Sequence, residues 1–208
     1  MKIRSILAAS AALFALAPLG HAVAAPATKT ADATADIVPS QLPRNAAPLH
    51  YAITVTPDAE KLTFDGNVRI EFMLKTPSDS VTLNAADIAF RTVTIAKGRA
   101  AAIPVTTQVN AAAQTATLSF GQTLPAGRYT LYIDYAGKIL QQANGLFALD
   151  YKNPEGAEKR ALFTQFEAPD ARRFVPSWDE PIYKATFDLT ARVPSEQMAV
   201  SNMPVAAR

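Results

Sequence analysis

Apolar and polar residues alternate along most of this chain from about His50 onward. In the first alternating segment Tyr51, Ile53 and Val55 share one side, and the segment from Leu62 to Leu74 repeats the pattern. Alternation with a period of two is typical of a β-strand with one buried face. The same pattern predicts further strands at 80–85, 88–97, 103–110, 114–120, 127–139, 145–151, 160–167, 183–193 and 198–202.

Residues that favour turns separate these segments. Gly, Pro, Asn or Asp stands in nearly every gap, at a spacing of about ten residues, as in all-β proteins. Helical periodicity is limited to one short turn around Pro169 to Arg173, and the Asp65-Gly66 pair is predicted to mark a kink or bulge. The sequence therefore predicts an all-β fold, either an antiparallel β-sandwich or a strongly curved sheet.

The first 24 residues have a different pattern. Lys2 and Arg4 precede an apolar run from Ile6 to Leu19, and the small residues Ala22-Val23-Ala24 follow. This is the layout of a secretory signal peptide, and the apolar run is short for a membrane span. We expect cleavage after Ala24 and export to a periplasm or out of the cell, with no membrane span afterwards. A buried N-terminal helix is the alternative interpretation.

The rest of the chain divides into two parts. Residues 25–44 are rich in Ala, Thr and Pro and predict a flexible mature N-terminus, whereas residues 45–208 form the predicted β domain. The leader carries two basic and no acidic residues, so its removal leaves 18 basic against 18 acidic residues. A neutral domain lacks the basic surface of a nucleic-acid binder, so we expect no nucleic-acid partner. The absence of cysteine excludes disulfides.

Histidine is almost as scarce as cysteine. After leader removal His50 is the only histidine, whereas a catalytic zinc normally takes three ligands drawn from His, Cys and carboxylate. A Ser-His-Asp triad would need His50, and the sequence has no G-x-S-x-G turn that would expose a nucleophilic serine. We therefore predict no catalytic residue, no metal ligand and no cofactor in this chain, and we interpret His50 as an ordinary sheet-edge residue.

The candidate chemistry lies in the stretch FTQFEAPDARRFVPSWDEP. On a strand over 160–167, Gln165 and Glu167 would project from one face about 6.5–7 Å apart. Their amide and carboxylate could hold two successive groups of one ligand, and Pro169 would end the ladder beside Glu167. A cationic ligand is the natural partner, because bonds between ammonium and carboxylate groups are about twice as strong as neutral ones.

A structural role for Glu167 remains open at this point, because the same carboxylate could pair with Arg172 or Arg173 and fix the following turn. We interpret Trp178 as the apolar anchor of the loop. The remaining charged residues are better explained as a network that braces it: Asp170, Arg172, Arg173, Asp179 and Glu180.

The same stretch strongly resembles the N-terminal domain of the aminopeptidase N family of zinc metallopeptidases. Members share the run T-Q-x-E-x-x-x-A-R-x-x-x-P-x-x-D-E-P-x-x-K-A-x-F and a later S-N-M-P, and the resemblance covers roughly residues 45–208. The residues in register are Thr164, Gln165, Glu167, Ala171, Arg172, Pro176, Asp179, Glu180, Pro181, Lys184, Ala185, Phe187, Ser201, Asn202, Met203 and Pro204.

The resemblance implies a fold, a partner and two site residues. The family's domain is a saddle-shaped β structure that packs on a thermolysin-like catalytic domain. By position, Glu167 would bind the free α-amino group of a peptide, and Gln165 would line the pocket for the first side chain. Ser177 departs from the pattern, since cysteine is common there, but that position is structural.

The family's G-x-M-E-N segment, its H-E-x-x-H helix and a later zinc-binding glutamate all lie beyond the matched region. In the family the two histidines of H-E-x-x-H hold the zinc, and the first glutamate of that motif activates water. The resemblance thus implies zinc for the complete enzyme, none for this chain, a sandwich without its last strands, and no activity by the chain alone. Two alternatives remain. One is a stand-alone, non-catalytic β-sandwich that binds peptides, and the other is an inert remnant.

Overall fold

The computed structural model describes residues 42–207, so the predicted leader and most of the segment 25–44 lie outside the described residues. No helix within that range is long and apolar enough to cross a membrane. The strands are β1 (Ala46–Asp58), β2 (Thr63–Leu74), β3 (Ser78–Asn84), β4 (Ala89–Ala96), β5 (Ile103–Pro104), β6 (Thr106–Asn110), β7 (Thr115–Leu124), β8 (Gly127–Lys138), β9 (Gly145–Lys152), β10 (Glu158–Gln165) and β11 (Thr186–Ala191), with a 3₁₀ helix at Ala171–Arg173.

These strands form sheets of six, three and two strands. Their orders are β11-β1-β2-β8-β4-β5, β3-β7-β6 and β10-β9. The prediction of an all-β fold is confirmed. Neighbouring strands are antiparallel except β1 and β11, which run parallel. The expectation of a purely antiparallel arrangement is therefore wrong at this pair, because β11 returns to β1 after a long excursion rather than through a tight turn.

The core lies between the six-stranded and the three-stranded sheets. The alternating residues Val68, Ile70 and Phe72 of β2 are fully buried. They belong to one cluster with Leu83 of β3 and Leu118 of β7. Inward-facing side chains from two sheets thus fill one core, which is the arrangement of a β-sandwich, as predicted.

The segment predicted as one strand over 103–110 is divided. Its first part, β5, pairs with β4 in the six-stranded sheet, whereas β6 pairs with β7 in the three-stranded sheet. Val105 lies between them and donates its backbone N–H to the carbonyl of Val93 at 3.0 Å. The chain therefore changes sheets at this residue and connects the two layers of the sandwich.

The predicted kink at Asp65-Gly66 is absent. The β2 ladders continue through both residues, with Gly66 opposite Val55 on one side and Tyr135 on the other. A Cβ at Gly66 would overlap the ring of Tyr135. Glycine stands here because an aromatic ring packs directly on the backbone, not because the strand bends.

Two further predictions are corrected near β11. Residues 198–202 form no strand in the described chain, and Met198 and Val200 there are exposed. His50 is not at a sheet edge, because β11 covers that side of β1. The His50 ring instead bonds to Thr186 Oγ1 at 2.8 Å, and its Nε2 lies 3.4 Å from a carboxylate oxygen of Asp188.

Candidate functional site

The strand that presents the candidate residues ends at Gln165, before Glu167. Gln165 pairs with Gly145, the first residue of β9, so the ladder runs out there. The chain then turns, since the backbone N–H of Asp170 donates to the carbonyl of Phe166 at 3.0 Å. The predicted strand over 160–167 is therefore too long, and Glu167 lies in the turn rather than on the strand face that carries Gln165.

Both candidate side chains are exposed, and one contact connects them. The amide nitrogen of Gln165 donates to the backbone carbonyl of Glu167 at 3.4 Å. Within residues 42–207 the carboxylate of Glu167 has no ion-pair or hydrogen-bond partner. A free carboxylate in an exposed turn can accept hydrogen bonds from an incoming cation without first releasing another partner.

The alternative in which Glu167 pairs with Arg172 or Arg173 is wrong. Arg172 Nε donates to Asp179 Oδ2 at 2.9 Å and Nη2 donates to the Asp179 carbonyl at 3.2 Å, and the Arg172 side chain is only 8% exposed. Arg173 pairs with Asp170 at 2.8 Å and also with Asp87. Both guanidinium groups are occupied by other carboxylates, which confirms the predicted bracing network for Asp170, Arg172, Arg173 and Asp179. The carboxylate of Glu180 accepts a hydrogen bond from the backbone N–H of Leu42 at 3.1 Å, so it fastens the loop to the start of the described chain.

Asp170 is the best-buried carboxylate of this network. Burial raises its pKa, but hydrogen bonds from Asn144 and Arg173 and the positive charges of Arg173 and Arg172 outweigh burial. The net result is a pKa below the ordinary value for an aspartate. Asn144 donates at 2.7 Å from the turn before β9, so Asp170 joins the start of the β9–β10 hairpin to the loop.

Trp178 anchors the other end of the loop, as predicted. It is 5% exposed and packs on Phe72, with ring centroids 5.6 Å apart. Its backbone N–H donates to the buried hydroxyl of Tyr51 at 3.1 Å. The preceding residue, Ser177, exchanges two backbone hydrogen bonds with Asn84, at 2.8 and 3.1 Å. This position is structural, in agreement with the sequence interpretation.

Several residues that hold the loop were not found from the sequence. The side chain of Asn84 accepts from the backbone N–H of Asp179, and Gln114 accepts from Arg172. Asp87 pairs with Arg173. These partners lie 58 to 95 positions away along the chain, and no local pattern connects them to the loop.

The donor groups near the turn decide whether the site could hold a metal ion. Among residues 42–207, no three His, Cys, Asp or Glu side chains are grouped so that they could hold a metal ion. The described residues therefore do not fit a zinc ion. What the geometry offers is a fixed turn with a free carboxylate, beside an amide at the end of a strand.

Comparison with known proteins identifies the family. The model of the peptidase M1 N-terminal domain matches residues 47–208. This chain belongs to that family. It is 42% identical over 165 residues to aminopeptidase N of Acetobacter pasteurianus and 39% identical over 168 residues to aminopeptidase M1-C of Oryza sativa subsp. japonica. A puromycin-sensitive aminopeptidase of Caenorhabditis elegans is 31% identical over 166 residues.

The peptidase M1 relatives are longer than the matched region. The alignments cover 79%, 80% and 79% of this chain, but only 45%, 19% and 18% of the respective relatives. The chain thus spans less than half the length of these relatives. The comparisons establish an aminopeptidase N-terminal domain, and the roles of Gln165 and Glu167 stay predictions.

Proposed function

We propose that this chain is the substrate-binding N-terminal domain of an exported, zinc-dependent aminopeptidase that removes N-terminal residues from peptides. In this proposal Glu167 binds the free α-ammonium group of the peptide, and Gln165 contacts the first side chain. The zinc and the cleaving groups belong to a catalytic domain of the longer protein, and the chain alone performs no hydrolysis. Membership of the M1 N-terminal family supports this proposal.

One observation carries the assignment of the amine site. Glu167 keeps a free, exposed carboxylate although Arg172 and Arg173 follow it closely in the chain, because both arginines are paired with aspartates. Pairing with its neighbours would have neutralised Glu167. The network instead leaves one negative charge unpaired at the turn, next to the amide of Gln165, and a peptide ammonium group can neutralise it.

The strength of this contact depends on its surroundings. An exposed ion pair contributes only about 0–1 kcal/mol, since water competes for both charges. The chain alone should therefore bind peptides weakly. A surface that excludes water from the site would strengthen the same contact, because charges attract more strongly in a medium of low dielectric constant.

The proposed export rests on the leader pattern at residues 1–24, which lies outside the described residues. The lack of cysteine is compatible with either compartment. N-terminal sequencing of the protein secreted from its host would test this part, with Ala25 as the expected first residue. A chain recovered intact from the cytoplasm with Met1 retained would contradict it.

Kinetics on a complete enzyme would test the amine site. Residues 45–208 would replace the matched segment of the Acetobacter pasteurianus aminopeptidase N, and kcat/KM would be measured with a peptide that has a free amino terminus. Glu167→Gln removes a bond worth about 1.5–3 kcal/mol, so we expect kcat/KM to fall about 10- to 100-fold. Glu155→Gln, an exposed carboxylate in the turn between β9 and β10, is the matched control and should change nothing.

Two outcomes would contradict the proposal. The first is that Glu167→Gln leaves kcat/KM and the preference over N-acetylated peptides unchanged. The second is that the 208-residue chain by itself binds a tripeptide with a Kd tighter than about 1 µM, which requires roughly 8 kcal/mol and exceeds what an exposed pair supplies. That result would favour the stand-alone peptide-binding protein.

A further inference from the structure

Basic side chains gather at one end of the six-stranded sheet, where three neighbouring strands begin or end. β2 and β4 both lie beside β8 and run antiparallel to it, so the ends of β2 and β4 meet the start of β8. We define the basic end by the four cationic residues at these termini: Lys75 after β2, Lys97 and Arg99 after β4, and Arg128 at the start of β8.

Contacts within the sheet keep these residues close together. Leu74 pairs with Gly127, and the Nζ of Lys97 lies 5.5 Å from the centre of the Tyr129 ring. Neighbouring strands are about 4.8 Å apart, so three adjacent strand ends span only about 10 Å. Because this is about one Debye length in 0.1 M salt, the potentials of the four charges add.

The charges of the basic end are not neutralised by neighbouring side chains. All four residues are exposed, and none forms an ion pair within residues 42–207. Two acidic residues lie near Lys75 in the chain. Glu71 is paired with Arg69 at 3.0 Å, whereas Asp79 has no cationic partner within the same range. Four positive charges therefore stand against one negative charge.

The balanced composition of the chain conceals this separation of charge. The predicted mature chain has 18 basic and 18 acidic residues, so a positive excess at one end is matched by a negative excess elsewhere. A local patch of one sign produces a potential that a neutral total does not reveal. The basic end depends on which strands are neighbours, and it could not be found from the sequence.

The basic end is remote from the proposed amine site. β8 begins beside the basic end, and the chain reaches Gly145, which pairs with Gln165, only after the far end of β8 at Lys138. Twelve residues of strand span roughly 36 Å. A partner at the basic end would therefore leave Gln165 and Glu167 uncovered.

The surroundings of the basic end favour a flat anionic surface over a nucleic-acid strand. Proteins that hold single-stranded nucleic acid normally stack its bases on exposed aromatic side chains. Tyr129, beside Lys97, is only 3% exposed, and the exposed loop residues near the cations include the small residues Pro77, Ala100 and Ala126. Cations at the ends of adjacent strands lie side by side and can approach a plane together.

We propose that the basic end binds the anionic headgroups of a phospholipid membrane and holds the domain at the membrane surface. The choice of a membrane rests on the proposed export, because an exported chain crosses a membrane and then faces its headgroups. Lysine and arginine side chains close to such a surface are each attracted by anionic lipids. In the resulting orientation the far end of β8, and with it the amine site, points away from the lipid.

Vesicle sedimentation would test this proposal. The chain from Ala25 to Arg208 contains every described residue and lacks the leader, whose apolar run could bind membranes by itself. Vesicles of phosphatidylcholine with about 30% phosphatidylglycerol would be compared with pure phosphatidylcholine in about 0.05 M NaCl. Each cation contributes about fivefold, so three excess charges should give about 100-fold tighter binding to the anionic vesicles. About 0.5 M NaCl should release the chain.

Two variants with equal loss of charge would locate the binding surface. One replaces the whole basic end, with Lys75→Gln, Lys97→Gln, Arg99→Gln and Arg128→Gln. The matched control replaces four exposed cations that lie elsewhere and form no ion pair within residues 42–207, with Lys138→Gln, Lys159→Gln, Lys184→Gln and Arg192→Gln.

The two variants should differ clearly in vesicle binding. The first should bind anionic vesicles about 100-fold more weakly than the unchanged chain, and the control should stay within about threefold of it. Neither set removes an ion pair, so both melting temperatures should stay within about 2 °C of the original. If the first variant does not fold, Arg128→Gln alone should still weaken binding about fivefold.

Three results would overturn the proposal. The first is that the unchanged chain does not bind anionic vesicles, and the second is that both variants weaken binding equally, so that only net charge matters. The third is binding to a short DNA duplex that persists at a salt concentration that releases the vesicles. Glu167→Gln should leave vesicle binding unchanged, so failure of this proposal leaves the amine site intact, and N-terminal sequencing tests export separately.

Discussion

Arg172 and Glu167 belong to the same charged stretch but differ in their surroundings. The Arg172 side chain is 8% exposed and bonds to Asp179 and Gln114, whereas Glu167 is exposed and has no side-chain partner within residues 42–207. The comparison shows that charged residues close together in sequence can serve different purposes. Arg172 keeps the loop in place, whereas the carboxylate of Glu167 keeps no side-chain partner within residues 42–207, as the proposed amine site requires.

The largest expected effect on stability comes from Arg172, which braces the loop. Arg172→Ala should lower the free energy of unfolding by about 3–5 kcal/mol, because it leaves Asp179 partly buried without its cation. Arg91→Ala is the matched control, since Arg91 pairs with Asp65 at an exposed site where the cost should stay below about 1 kcal/mol. Urea unfolding of both variants measures the difference, and equal losses would contradict the assigned bracing role.

An intermediate effect is expected from Asp170 and should depend on pH. Its pKa is lowered in the folded protein, so its carboxylate contributes stability above the unfolded-state pKa of about 3.9, and this contribution is lost as the pH falls towards the folded-state pKa. Asp170→Asn should cost about 1.5–3 kcal/mol at pH 7. Thermal unfolding between pH 7 and pH 3 should show the gap between wild type and variant closing on acidification. A gap that is constant over this range would disprove the coupling.

The smallest effect on stability is expected at Glu167, the proposed amine-binding residue. Glu167→Gln should change the free energy of unfolding of the 208-residue chain by no more than about 0.5 kcal/mol, because no contact of its carboxylate is lost. The same urea titration used for Arg172→Ala measures it. Deleting the partner of a buried polar group costs about 1–3 kcal/mol. If Glu167→Gln lowered the free energy of unfolding by about 2 kcal/mol, Glu167 would have a structural role instead.

Local patterns predicted the parts of the fold that depend on local physics. Alternation located β2 and β8, because a period of two in apolar residues follows directly from a buried strand face. The same rule placed Gln165 on a strand. It could not show that the segment at 103–110 divides at Val105, since the exchange of sheets depends on which neighbour each half finds.

The candidate site was predictable to the same extent. The run TQFE indicated its location, but the sequence left open whether Glu167 was paired. That question depended on Asp179, Asp170 and Asp87, whose side chains come together only through the tertiary fold. The apolar run GLFALDY was correctly predicted as a strand, but its pattern did not show that Leu149 and Tyr151 stay exposed.

The parallel pairing of β1 with β11 has a consequence for how the protein forms. It joins residues 136 positions apart, such as His50 and Thr186. During synthesis one side of the first strand must wait until β11 (Thr186–Ala191) has emerged from the ribosome. Contacts of such long sequence separation slow folding, so the six-stranded sheet should be completed late, after the local hairpins have already assembled.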